Sequence, residues 1–232
     1  MNYPQTPSQL GVRPAARLST SLVSQALAWM FAGLAITAVV SWAVAGSPGL
    51  SAAAQTLLLP AIILQLVLVV AISAGIQRIS ATLALGLFFG YAALTGFVFS
   101  IIFLAYDIGT ITLAFASASA MFGASAAFGF VTKRDLSVFA RFFLMALIGI
   151  IVSSFLNLFF FHSNGVSLLV SYLGVGLFAG ITAWDIQRIK NGELAAWTGS
   201  MEKASVIGAL HLYLDFINMF LLLLRIFGGS SR

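Results

Sequence analysis

From residue 22 onward the chain alternates long apolar runs with short polar interruptions. A membrane-spanning helix needs about 20 mainly apolar residues. The runs at 22–45, 53–75, 82–104, 109–131, 138–161, 166–187 and 204–227 meet that length, which predicts seven spans. Residues 1–20 differ: they are rich in Pro, Ser and Gln, carry Arg13 and Arg17, and predict a flexible tail. No linker divides the remainder, so residues 21–232 are expected to form one domain. The interruptions have turn chemistry. Gly46-Ser47-Pro48-Gly49 and His162-Ser163-Asn164-Gly165 are turns. Asp135, after Lys133-Arg134, is placed to cap the next helix. Asn191-Gly192 suits a helix C-terminus. Ala43-Val44-Ala45 resembles a signal-peptide cleavage site. The apolar stretch before it exceeds the 7–15 residues typical of a signal core, so it is expected to stay as a span.

Composition removes the soluble alternatives. Of the 232 residues 61% are hydrophobic and 7% charged, against about 25% charged in a soluble domain. Mean hydropathy is +1.07. The net charge of +5 rests on few residues and forms no basic patch of the kind nucleic acid requires. With 0 cysteines there are no disulfides and no thiolate metal sites. Charge sets the orientation instead. Arg13, Arg17, Arg78, Lys133, Arg134, Arg141, Arg188, Lys190 and Lys203 fall on one side of the seven-span topology, and Arg225 and Arg232 on the other. The expected N-terminus is therefore cytoplasmic and the C-terminus external. Gly86-x-x-x-Gly90 and Gly176-x-x-x-Gly180 are expected to let helices approach closely.

Few polar groups lie inside the spans, and they carry the functional signal. An ionisable residue at the centre of a membrane helix costs about 2.5–3.5 kcal/mol on insertion scales and usually has a task. Asp215 lies in the middle of HLYLDFINMFLLLLRIFG (211–228). His211, Asp215 and Asn218 stand at i, i+4 and i+7 and share one helix face, which Arg225 continues. One polar stripe on a lipid-grade helix implies a helix packed inside a bundle. Asp185, in AGITAWDIQRIK, lies near the end of span six, where Arg188 at i+3 is a local partner. Either aspartate could instead be packing glue, bonded to neighbours such as Asn157, Ser153, Tyr91 or Thr95. Asn157, Tyr91 and Gln65 are read as such glue, and Asp107 and His162 as solvated turn residues. His211 is either an interfacial residue or a group that tunes Asp215.

The motifs resemble a known family. LYLDFIN (212–218) followed by LLRIFG (223–228) is similar to the final helix of the Bax inhibitor family, the transmembrane Bax inhibitor motif proteins. TAWDIQRIK (182–190), MFGASAAFGFVTKRDLS (121–137) and MALIGIIVSSFLN (145–157) fit its bacterial inner-membrane members, and the likeness covers about residues 20–230. The resemblance implies an all-α fold of seven membrane helices with the last helix surrounded by the other six. It implies a pH-sensitive calcium leak gated by two aspartates, which by motif are Asp185 and Asp215. It also implies a basic latch near the end of helix two, for which Arg78 is the basic residue present. Arg188, His211 and Asn218 are further latch or tuning residues. The chain departs from the pattern at Gln65, where some members carry an acid, and at His211, where others carry a small polar residue.

Physical chemistry gives that pair a mechanism. Two carboxylates held close in a low dielectric do not both ionise cheaply, so the pair shares a proton. Losing it leaves two anions that water or a hard cation must compensate. Calcium takes oxygen ligands, and two carboxylates are too few for a full shell, which favours weak and transient binding by Asp185 and Asp215. No resident cofactor is expected. A second reading is an interaction protein that regulates a membrane protease through its N-terminal tail, with membrane lipids as the other partners. An intramembrane aspartyl protease is disfavoured, because neither Asp185 nor Asp215 follows Gly-x-Gly. The chain is therefore read as a non-enzyme.

Overall fold

The computed structural model describes residues 15–229, with side chains from Thr20 onward. Apolar runs with no competing backbone partner fold as helices, the solution that satisfies every N–H and C=O inside lipid. The order is α1 (Ala15–Ala45), α2 (Pro48–Thr56), α3 (Leu58–Gly75), α4 (Ala81–Phe99), α5 (Ile102–Ala105), α6 (Ile108–Val131), α7 (Ala140–Leu156), α8 (Asn164–Lys190), α9 (Glu193–Thr198) and α10 (Met201–Gly229). Seven helical stretches are long and apolar enough to cross a membrane, from Thr20–Ala45 to Met201–Gly229. They coincide with the seven spans expected from hydropathy. Residues 15–20, expected in the tail, already belong to α1. The rest of that tail, with Arg13, lies outside the described residues, as does Arg232 at the other terminus.

Local chemistry sets the boundaries. Asp107 caps α6, accepting from the Thr110 amide at 2.9 Å and the Thr110 hydroxyl at 2.6 Å. Those bonds, the hydroxyl first, hold its carboxyl below the usual carboxylate range. Asp135 accepts from the Ser137 amide at 2.9 Å, as its position before the next helix suggested. Gly192 takes φ +76° just past α8, a conformation glycine adopts without a Cβ penalty. The expected second span is broken: Pro60 has no N–H to bond back, and its ring disfavours a helical carbonyl four residues earlier, so α2 stops at Thr56 and α3 restarts at Leu58.

The last helix is central. In its most apolar window 67% of residues are buried, against 6% in the span at Leu136–Phe161. It packs against α8, α1, α6 and α4. The other two spans complete the bundle from outside, α3 against α4 and α7 against α8. One face of α10 is joined to α1 and α4 by a polar node, where the Tyr213 hydroxyl lies 2.7 Å from Thr37 Oγ1, which bonds the Ala92 carbonyl at 2.9 Å. Gln65, read as glue, donates to Thr95 at 2.9 Å, and Asn157 donates to Ser167 Oγ at 2.9 Å.

The close helix approaches are not where the Gly-x-x-x-Gly pairs pointed. A Cβ added at Gly86, Gly90 or Gly176 would meet nothing within 4 Å, so those glycines face open space; at Gly180 it would meet the ring of Phe143. The backbones come together instead at Gly129, against the carbonyl of Ala183, and at Gly96, against Thr37 and Ser41.

Three connections, α3–α4, α6–α7 and α8–α10, are tied down at one end of the bundle, here the basic end. Gln187 of α8 donates to the Arg134 carbonyl at 2.8 Å and accepts from the Leu136 amide at 2.8 Å. Lys203 of α10 donates to the Gln77 carbonyl at 3.1 Å, and Gln77 donates to the Trp197 carbonyl at 2.9 Å.

Candidate functional site

Four elements enclose a cavity of about 970 Å³ beside α10, at the upper end of the range typical of ligand pockets. Its floor is the polar stripe of α10: His211, Asp215, Asn218 and Arg225, with Leu214, Leu221 and Leu222 between them. Asp185, Trp184 and Arg188 of α8 form the end nearest the basic loops. Val69 of α3 and Ile150, Ile151 and Phe155 of α7 supply apolar walls. The i, i+4, i+7 spacing that put His211, Asp215 and Asn218 on one face is what lines them along one cavity.

The two aspartates both line it. Asp185 and Asp215 are 5% and 4% exposed, and their charges interact directly. Each has different company. Asp185 Oδ1 receives Arg188 Nη1 at 3.2 Å and lies 3.8 Å from His211 Nδ1. Arg188 in turn reaches Glu193 Oε2 from Nε at 3.5 Å and stacks over the Trp184 ring at 4.7 Å. Thr182, one turn before Asp185, commits its hydroxyl to the Phe178 carbonyl at 2.8 Å, and none of Asn157, Ser153, Tyr91 or Thr95 bonds Asp215. Among the described residues, three buried polar atoms have no hydrogen-bond partner: Asp215 Oδ2, His211 Nδ1 and Trp184 Nε1. All three residues line this cavity. A buried polar atom left unpaired costs about 1–3 kcal/mol, so the three atoms mark the most polar part of the cavity wall.

The other expected residues sort clearly. Asn218 lines the cavity but its amide is committed to the Leu214 carbonyl at 2.8 Å. Arg188 is the cation on Asp185. Arg78, the residue proposed as a latch through the family likeness, is exposed in the turn after α3 and does not line the cavity. The reason is placement: α8 carries its own arginine one turn from Asp185, nearer than any residue at the end of α3. Thr182, Trp184 and Glu193 were not anticipated. Thr182 had a signal, since it precedes Asp185 by three residues and so shares its helix face. Glu193 had none, lying in a different helix from its partner.

No group of three or more His, Cys, Asp or Glu residues able to hold a metal ion occurs among the described residues. The carboxylates therefore offer an incomplete, open set of oxygen ligands. The cavity also has a direction. On α10 the residues facing it pass from partly buried at His211, Leu214 and Asn218 to exposed at Leu221 and Arg225. Its α10 lining is thus more exposed at the Arg225 end, and Arg188 lines the end nearest the basic loops.

Comparison with known proteins places this architecture. A family model described as "Inhibitor of apoptosis-promoting Bax1" matches residues 20–232. The chain is 45% identical over 224 residues to the Escherichia coli K12 protein named "Inner membrane protein YbhL", covering 94% of this chain and 95% of that one. It is 46% identical over 213 residues to an uncharacterized protein of Deinococcus radiodurans, covering 91% of each. It is 41% identical over 223 residues to YrjE of Lactococcus lactis, covering 90% of this chain and 92% of that one. The seven-helix chain with its carboxylate-floored cavity belongs to the Bax inhibitor family.

Proposed function

We propose that the protein is a cation leak of the inner membrane, with calcium as the permeant ion and the Asp185–Asp215 pair as a proton-sensitive gate. One observation carries the reading: two buried carboxylates line one cavity inside the bundle, and Asp215 Oδ2 has no hydrogen-bond partner there. A cation entering from the Arg225 end passes that guanidinium at the mouth, then the Asn218 side chain, and reaches the carboxylates last. Its passage is stopped by Arg188, which holds Asp185 and is itself held by Glu193 and Trp184. Opening requires Arg188 to leave Asp185. A divalent ion or a change in the protonation of the pair competes directly for that carboxylate, which makes the gate responsive to both.

Calcium suits the ligands because it accepts oxygen donors in flexible number and geometry. Two carboxylates without a third acid bind it weakly, as release during conduction requires. The name of the Escherichia coli relative and the seven apolar helices support an inner-membrane location. The basic bias supports a cytoplasmic basic end and an external Arg225 end. The reading is non-enzymatic: Asp185 is held by Arg188, and neither aspartate follows the Gly-x-Gly of an intramembrane aspartyl protease.

The experiment is calcium release from loaded liposomes containing the purified protein. Release above that of protein-free vesicles, abolished by Asp215→Asn, is expected. Equal release from Asp215→Asn vesicles excludes the pair as the gate.

A further inference from the structure

The cavity opens sideways as well as endwise, and this opening points to a ligand of its own. Val69 of α3 and Ile151 and Phe155 of α7 face each other across it, yet α3 packs on α4 and α7 on α8, with no extensive packing between the two. Ile151 and Phe155 are 58% and 59% exposed, and Leu221 of the otherwise buried central helix is 36% exposed. These residues lie within spans, so the medium at the opening is hydrocarbon. Arg225 closes the row: it is exposed, lines the cavity, and has no carboxylate partner among the described residues.

We propose that this opening is a binding site for a glycerophospholipid, with the lipid phosphate on the Arg225 guanidinium and one acyl chain lying along Leu221 and Leu214. The planar guanidinium fork matches a phosphate in bidentate fashion, and a membrane arginine extends its charge toward the headgroup layer. The depth agrees. Arg225 lies ten residues beyond Asp215, about 15 Å at 1.5 Å per residue, which is half of the roughly 30 Å hydrocarbon core. An acyl chain of the leaflet on the Arg225 side therefore ends beside the carboxylates. It supplies the side wall that α3 and α7 leave open, and the phosphate offsets the one positive charge at the cavity mouth. The site does not depend on the leak reading, because its test measures where lipid sits and not what crosses.

The test uses the full chain in vesicles of phosphatidylethanolamine and phosphatidylglycerol that contain phosphatidylglycerol with a photoreactive diazirine in one acyl chain. After illumination, peptides are mapped by mass spectrometry. Bulk lipid labels outer-face residues such as Met145 and Leu173, which are 73% and 60% exposed. The seated lipid labels Leu214 and Leu221 as well. Arg225→Gln is expected to lower Leu214 labelling about tenfold, the effect of losing one charge-assisted bond, while Met145 and Leu173 labelling stays constant. Arg225→Lys, which keeps the charge, retains most of the Leu214 signal and shows that the fold is intact. Labelling confined to the outer face overturns the proposal, and so does Leu214 labelling indifferent to Arg225→Gln.

Discussion

The pivotal residue is Asp185, because its carboxylate is claimed by groups with different chemistry. Arg188 stands 3.2 Å away as a permanent cation, the His211 imidazole lies 3.8 Å away, and the neighbouring carboxyl of Asp215 adds a like charge. A partly buried ion pair matters most when one partner is removed, since the other is left charged and unpaired. Arg188→Gln should therefore raise calcium release severalfold at neutral pH, measured in the same liposomes; release equal to or below wild type would show that Arg188 is not the stopper. His211 has an Nδ1 with no hydrogen-bond partner, 3.8 Å from Asp185 Oδ1. His211→Ser is expected to displace the pH midpoint of release. An unmoved midpoint reduces His211 to a wall of the cavity. Both aspartates and the His211–Asn218 stripe were legible in the sequence, because charge is rare in a span and helical spacing assigns it to a face. The i+3 spacing of Arg188 was legible too. Trp184 and Glu193 were not: an indole among apolar residues looks like packing, and an acid in a loop looks solvated.

Among the elements, α8 and α10 make the site and α6 holds them in register. Gly129 of α6 sits against the Ala183 carbonyl, two residues from Asp185. A side chain there must push α8 away, and overpacking of that kind costs about 1–3 kcal/mol or more. Gly129→Leu should lower the melting temperature in detergent by several degrees and disturb calcium release. Gly86→Ala, at a glycine whose Cβ would meet nothing, should leave both within error. The opposite ranking would contradict the assigned helix contacts. The sequence could not separate these glycines, since small residues are common in membrane helices whether or not they touch a neighbour. Helix lengths were legible because the bilayer sets them. The split between α2 and α3 was not read from hydropathy, which sees apolar residues and ignores the missing N–H of Pro60.

At the scale of the molecule, the fold is a central helix whose buried faces are apolar or hydrogen-bonded to neighbours and whose one polar face looks into a cavity. That cavity is lined by Arg188 at the basic end and by the exposed Arg225 at the other. The sequence announced an enclosed last helix, because a carboxylate in a span requires protein or water beside it. It did not announce the lateral opening, which arises from the separation of α3 and α7, helices with no polar stripe to mark their facing sides. The central claim is that the carboxylate pair couples protons to cation passage. The most direct test is calcium release from liposomes across a pH series, for wild type and Asp215→Asn side by side. A wild-type rate that changes with pH, beside an Asp215→Asn rate that is low and flat, is the expected result. A pH profile unchanged by Asp215→Asn would contradict it.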